Sequence, residues 1–259
     1  MDMQLSGRSA IVTGGTAGIG LAIARVLTEE GVQVTIPGRY GKKLGEAISS
    51  LPASARGIEA DLTTAEGAAK LIAEVPETDI LVNNLGIYEP KNFADISDEE
   101  WLHLFEVNVL GGIRLSRHYF PKMLKGNWGR VIFVSSESGI MTPVEMVHYG
   151  MTKTAQLAIS RGMAEQTKGT KVTVNTVLPG PTRSEGIVGF LQSMASTPNA
   201  TAEQAEQEFF EKHRSSSLLQ RLIEDREVAN LVAYVASPLS SATNGAALRV
   251  EGGLLRSIA

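Results

Sequence analysis

A phenol and an ammonium group stand four residues apart in the run Tyr149-Gly150-Met151-Thr152-Lys153, a spacing that sets both side chains on one face of a helix. A tyrosine ordinarily titrates near ~10, and a neighbouring cation favours its ionised form. Held together, the two read as a proton donor and acceptor for a reacting oxygen. Alone the spacing is a weak signal, since such pairs fall by chance on many helix surfaces. Two further polar groups add weight. Ser136 follows the β-branched run Val131–Ser135, and strand ends on one edge of a parallel sheet converge on one crevice. Asn108 lies inside the apolar run Phe105–Leu110, where a buried amide must find partners. A purely structural hydrogen bond is the alternative there.

Near the N-terminus, Thr13-Gly14-Gly15-Thr16-Ala17-Gly18-Ile19-Gly20 follows a strand candidate and opens a helix. In that context Gly14 suits a tight turn, Gly18 lets backbone approach a pyrophosphate, and Gly20 allows helix to pack on strand. The helix N-terminus adds free amides and the positive end of its dipole. The second strand ends in Ile36-Pro37-Gly38-Arg39, where an acid against the ribose diol of a dinucleotide is expected and missing. Gly38 leaves room and Arg39 offers a planar cation suited to a 2′-phosphate, so NADP(H) is favoured, with NAD(H) as the alternative. A solvated loop arginine is the competing reading, and Lys42 and Lys43 either reinforce the patch or are solvated too.

Such groups need a scaffold that gathers strand ends. Strand candidates at Ser9–Thr13, Val32–Ile36, Gly57–Ala60, Ile80–Asn83, Val131–Ser135, Val172–Val177 and Ala247–Val250 alternate with helical patterns near Gly18–Glu30, Lys42–Ser50, Ala65–Glu74, Asp98–Leu124, His148–Thr167 and Arg226–Ala236. This alternation predicts an α/β fold, one Rossmann-type doubly wound domain over 1–259, with a seven-stranded parallel sheet and helices on both faces. Ser97-Asp98-Glu99-Glu100 reads as a capping box. The segment Gly180–Leu222 breaks the rhythm just after a strand's C-terminal end. Its amphipathic pieces, Gly186–Ala195 and Thr201–His213, are expected to form a lid over a substrate, an ordinary surface excursion being the alternative.

Composition narrows the function. The chain has 259 residues, 43% hydrophobic and 20% charged, enough to bury a sizeable core. A net charge of −4 gives no reason to expect a nucleic-acid partner. Cysteine is absent, which excludes disulfides and thiolate chemistry, and His103, His118, His148 and His213 show no metal-ligand spacing, so no metal is expected. Met1–Leu5 lacks a basic region followed by an apolar run, and no stretch is long enough to cross a bilayer; the expected location is cytoplasmic, without a membrane partner.

Taken together, these motifs resemble the short-chain dehydrogenase/reductase family over nearly the whole chain. The likeness is carried by Thr13–Gly20, Asp61-Leu62, Asn83-Asn84-Leu85-Gly86, Asn108, Ser136, Tyr149 with Lys153, Pro179-Gly180 and Glu251-Gly252-Gly253. The resemblance implies that Ser136 orients a carbonyl, Tyr149 exchanges the proton, Lys153 holds the nicotinamide ribose and lowers the tyrosine's pKa, and Asn108 holds a water in the relay. It assigns Gly14, Gly18, Ile19 and Gly20 to the pyrophosphate, with Thr16 adding a hydroxyl. Asp61 and Leu62 go to the adenine, Asn83 to the adenosine side, and Pro179, Gly180 and Thr182 to the carboxamide end. Arg39 matches NADP-preferring members.

Three departures from the family pattern stand out: Leu85 replaces a small alanine, Thr182 and Ser184 stand where an aliphatic residue and a threonine are usual, and Ala17 stands where some NADP-preferring relatives have a second basic residue. The expected function is reduction of a ketone or aldehyde by NADPH, 3-oxoacyl thioesters and cyclic ketones included. An NAD-linked alcohol or sugar dehydrogenase is the rival. A nucleotide-sensing binding protein would not need Ser136, Tyr149 and Lys153 together. Val144–Val147 and Gly180–Leu222 are expected to line the substrate pocket, and the helices near Asp98–Leu124 and His148–Thr167 to build a homodimer or homotetramer.

Overall fold

The computed structural model describes residues 2–197 and 199–258, with the backbone alone of Glu185. Among these, seven strands form one sheet in the order β3-β2-β1-β4-β5-β6-β7, every pairing parallel. They are β1 (Ser9–Val12), β2 (Gln33–Gly38), β3 (Ala55–Glu59), β4 (Ile80–Asn83), β5 (Gly129–Val134), β6 (Val172–Pro179) and β7 (Ala247–Val250). Helices α1 (Gly18–Glu29), α2 (Gly41–Ser49), α3 (Ala65–Glu74), α4 (Asp98–Phe105), α5 (Gly111–Gly126), α6 (Val147–Ala164) and α9 (Asp225–Ala236) connect them, with α7 (Glu185–Met194) and α8 (Ala202–Lys212) in the segment after β6. This is the expected doubly wound α/β architecture. Strand order reverses between β1 and β4, opening the crevice where such sheets take ligands.

Alternation along the strands sorts side chains to two faces. Ala10, Val12, Ile80, Val82, Ile132 and Val134 pack with Ile23 and Leu27 of α1 and Val228 and Val232 of α9. Their neighbours Ile11, Leu81, Val131 and Phe133 face Leu71 of α3, Leu115 and Tyr119 of α5 and Ala164 of α6. Every residue of β4, β5 and β6 is buried, as a sheet covered on both sides requires. Burying each such aliphatic or aromatic side chain contributes roughly 1.5–3 kcal/mol, so the strand ends sit on a stiff platform.

Element bounds differ from expectation in informative places. β2 runs on through Pro37 to Gly38, because β1 pairs only as far as Thr35 and the proline meets β3 alone on that stretch. β5 starts at Gly129, where the Met123 side chain occupies the space a Cβ would need. The single helix expected over Asp98–Leu124 is helical throughout, but Glu106–Leu110 forms a π-turn between α4 and α5. Its start carries the expected capping box, Ser97 Oγ accepting from Glu100 N at 3.3 Å and Glu100 Oε2 from Ser97 N at 2.7 Å.

Candidate active site

At the end of β1, Thr13 Oγ1 donates to Val82 O at 3.2 Å and accepts from Asn84 N and Leu85 N, both at 2.9 Å. The Asn84 amide donates to Thr13 O at 3.0 Å. One hydroxyl and one amide thus lock the glycine loop to the end of β4. A Cβ on Gly20 would lie 2.2 Å from Gly14 O, so helix α1 can approach the loop this closely only with glycine there. Gly18 adopts φ +50° and faces open space, where a side chain would enter the cleft. Ala17 caps α1 without a side-chain bond, leaving the first-turn amides to an anion.

A cleft of about 990 Å³ runs from this loop to the phenol of Tyr149. Of the sequence-predicted residues, Gly14, Thr16, Gly18, Ile19, Gly20, Ser136, Tyr149, Pro179, Gly180 and Thr182 line it. Others stand outside that wall. Leu62 is a buried member of the core beside Leu115, and Asp61 Oδ1 is occupied by Thr63 N at 3.0 Å and Thr63 Oγ1 at 2.8 Å. Asn83 is turned toward α5, its amide donating to Ser116 Oγ at 3.1 Å, and Asn84 lines the cleft in its place. Arg39 is exposed, its guanidinium 5.4 Å from the Tyr40 ring. Thr182 turns its hydroxyl to Gly180 O at 2.9 Å.

At the opposite end, β5 delivers Ser135 and Ser136 and α6 delivers Tyr149 and Lys153. The two elements are stapled together, Ser135 Oγ donating to Lys153 O at 2.8 Å and Lys153 Nζ to Val134 O at 3.0 Å. Burial pushes the Tyr149 pKa up, with Glu137 acting in the same sense and Ser136 pulling the other way. Burial pushes the Lys153 ammonium down to about 8. Burial outweighs the expected lowering of the tyrosine by Lys153, whose Nζ lies 5.5 Å from the ring centroid and donates to Val134 O and Gln156 Oε1. The phenol is held as an acid.

Asn108 sits in the π-turn, its side chain spanning Ile87 N, Ile87 O and Thr152 Oγ1 at 2.8, 2.9 and 3.0 Å. The Asn108 backbone carbonyl accepts from Gln156 Nε2 at 2.6 Å, and Gln156 Oε1 accepts from Lys153 Nζ at 3.5 Å. A polar chain Asn108–Gln156–Lys153 therefore runs behind the phenol end of the cleft. Gln156 escaped sequence reasoning although a buried amide three residues beyond Lys153 on the same helix was a signal for it. His148 points away from the chemistry, its ring edge-on to Trp101 at 5.7 Å.

Two charged residues in the cleft wall were not singled out from the sequence. Glu137 is buried beside Ser136, the one acid in an otherwise small and apolar stretch. Arg214 follows α8, inside the Gly180–Leu222 segment expected to line the pocket. It reaches back over the cleft to Glu145 at 3.3 Å. The 180–222 segment brings it there: α7 and α8 close on their own cluster of Leu191, Ala205, Phe209, Phe210 and Leu222. Arg183 grips Glu206 with both carboxylate contacts near 3 Å.

A glycine loop at the sheet's switch point and a Ser–Tyr–Lys cluster across the same cleft define a dinucleotide-dependent oxidoreductase. Comparison with known proteins gives the family. The family model described as short chain dehydrogenase matches residues 8–194. The chain is 49% identical to the uncharacterized oxidoreductase YvaG of Bacillus subtilis (strain 168) over all of both chains, and 33% identical to the 3-oxoacyl-[acyl-carrier-protein] reductase FabG of Aquifex aeolicus (strain VF5), with 98% of this chain and 100% of the relative covered. The L-sorbose reductase of Gluconobacter frateurii, solved with NADPH and L-sorbose, superposes with a TM-score of 0.93 at 26% identity, each chain fully covered. The chain belongs to the short-chain dehydrogenase/reductase family and is a dehydrogenase/reductase enzyme. That family uses NAD(P). No helix among the described residues is long and apolar enough to cross a membrane.

Proposed function

We propose that the enzyme reduces a ketone or aldehyde to an alcohol with NADPH, using Tyr149 as the general acid. The observation that carries this is the Tyr149 phenol, kept protonated by its surroundings, beside the Ser136 hydroxyl in a cleft continuous with the glycine loop. The cradle suits a dinucleotide: Gly18 opens into the cleft and the α1 amides are uncapped by any side chain. Gly14, Gly18, Ile19 and Gly20 would hold the pyrophosphate, Thr16 would add a hydroxyl, and Pro179 and Gly180 would wall the nicotinamide end. The bound cofactor supplies the hydride. Ser136 positions the carbonyl oxygen, Tyr149 gives it a proton, and the Lys153–Gln156–Asn108 chain links that end of the cleft to the interior.

Arg39 carries no carboxylate partner among the described residues, which supports its pairing with a 2′-phosphate and hence NADPH over NADH. The same reading makes the enzyme a cytoplasmic homodimer or homotetramer without nucleic-acid or membrane partners. The first substrates to try are a 3-oxoacyl thioester and a ketose, after the reactions named for the Aquifex relative and the Gluconobacter structure.

The test is a screen of ketones and aldehydes against NADPH by nicotinamide absorbance, with Tyr149→Phe as control. Turnover should fall about 10²–10⁴-fold in the variant while NADPH still binds. A variant that keeps most of its turnover removes Tyr149 from the mechanism, and turnover of alcohols with NAD⁺ alone reverses the assignment of donor and direction.

A further inference from the structure

Glu137 is not needed by the reaction as described, yet it is 6% exposed at the catalytic end of the cleft. It opens the short 3-10 turn Glu137–Gly139 directly after Ser136. Its Oε2 lies 2.5 Å from Ser136 Oγ and its Oε1 3.3 Å from Ser138 Oγ. Among the described residues no cation bonds to it. Arg214, from the 180–222 segment, sends Nη1 to His213 O at 2.9 Å and Nη2 to Glu145 at 3.3 Å. Lys153 Nζ donates to Val134 O and Gln156 Oε1 and meets Glu137 only through space. From α6, Tyr149 and Lys153 face it, with Tyr88 beyond Tyr149.

A hydroxyl has one hydrogen and two lone pairs. On Ser136 one lone pair is taken by Ser138 N at 3.1 Å. If Glu137 were a carboxylate, the single Ser136 hydrogen would be drawn to Oε2, and Ser136 would turn a lone pair toward the lone pairs of a substrate carbonyl. If Glu137 is the neutral acid, its own O–H fills the second lone pair and the Ser136 hydrogen is left pointing into the cleft.

We propose that Glu137 is a positioning residue whose neutral carboxyl donates to Ser136 Oγ and so fixes the Ser136 hydrogen toward the reacting oxygen. This rests on Ser136 orienting the carbonyl, as read above. A buried carboxylate without a bonded cation is costly, and burial pushes the Glu137 pKa up against the opposing pull of Ser136, Arg214 and Ser138. The carboxyl proton stays on Glu137 throughout; the proton that ends on the product oxygen comes from Tyr149.

A residue that only braces the 3-10 turn would leave the pH profile of the reaction alone, whereas Glu137 as a proton-dependent director would shape it. Reduction by the wild type should fall off as pH rises through ionisation of Glu137. Glu137→Ala should lose about tenfold in kcat, the equivalent of ~1.4 kcal/mol. Glu137→Gln, whose amide donates at every pH, should restore most of that loss and move the alkaline limb upward by about one unit or more. A Glu137→Gln profile that overlays the wild type overturns the proposal.

A second measurement does not depend on turnover. Infrared spectra of the wild type at neutral pH should show a protonated-carboxyl stretch that is missing from Glu137→Gln and displaced in Ser136→Ala; its absence from the wild type also overturns the proposal. If the wild type reduces no carbonyl compound, the proposed function falls by itself, and the carboxyl band alone decides the state of Glu137.

Discussion

Burial acts on Tyr149 and Lys153 in opposite senses, because it penalises whichever form carries charge. For the phenol that keeps the acid ready. For Lys153 the folded-state pKa of about 8 lies below its ordinary 10.5, so below pH 8 the fold carries the full cost of a buried cation. Between pH 8 and 10.5 the unfolded chain holds more protons than the native one, and stability rises with pH. Lys153→Met should therefore be more stable than the wild type at pH 7, with the gap in unfolding free energy closing as pH climbs from 8 toward 10.5. Denaturant titrations across that range check it, and a gap independent of pH would contradict the burial argument. At Arg39, exposure limits the gain from a charge-assisted bond to the low end, so Arg39→Leu should narrow the NADPH-over-NADH preference about tenfold. Unchanged dissociation constants for both nucleotides would leave Arg39 a solvated residue. Adding Gly38→Asp to reverse the preference must displace Thr16 Cγ2 and Leu44 Cδ1, which a Cβ there would meet at 3.1 and 3.2 Å. Tyr149, Lys153 and Ser136 were singled out because the phenol–ammonium spacing, weak alone, gains weight from the strand-end serine and the glycine loop read with it. Glu137 and Arg214 were not, because what sets them apart is a burial and a long-range approach that only the folded chain creates.

The elements themselves were legible where hydrophobic periodicity is strong, as in α3, whose bounds coincide with those expected. Edge strand β3 was shortened in the sequence reading because most of its side chains face solvent, which erases the alternation a strand is recognised by. The π-turn at Asn108 was invisible for another reason: one extra residue per turn leaves the apolar pattern of a helix nearly intact. The two amphipathic pieces expected within residues 180–222 are the helices α7 and α8 of a surface flap, but how that flap is fastened was not legible. Glu206 takes both Arg183 contacts and the Leu222 amide at 2.8 Å, while the flap's apolar cluster is separate from the two that flank the sheet. Local opening without global unfolding is the consequence. Glu206→Ala should speed proteolytic cleavage within residues 180–222 and raise KM, while Tm of the main domain moves little. Cleavage no faster than in the wild type would show that the apolar cluster alone holds the flap.

At the scale of the whole molecule, the surface near the mouth of the cleft is more apolar than a solvated face needs to be. Phe93, Leu102 and Val144 are 65%, 69% and 84% exposed. Phe93 packs edge-on against Trp101 at 6.3 Å, and the Lys91 amide bonds Glu145 O at 2.8 Å, so the segment before α4 and the turn before α6 form one continuous ledge. Scattered exposed side chains need no explanation, but contiguous ones mark a surface that is covered in use. A closed symmetric oligomer covers such a face with its own copy, residue for residue. Light scattering at micromolar protein should therefore give a dimer or tetramer mass. Leu102→Glu with Val144→Glu should shift it toward monomer, since each new carboxylate would be desolvated against a like charge across the two-fold axis. Both positions are exposed in the single chain, so the double variant should keep the wild-type circular dichroism spectrum and Tm measured in dilute solution. A wild type that scatters as a monomer refutes the assembly, and an oligomer indifferent to the two glutamates moves the interface to the outer faces of α5 and α6.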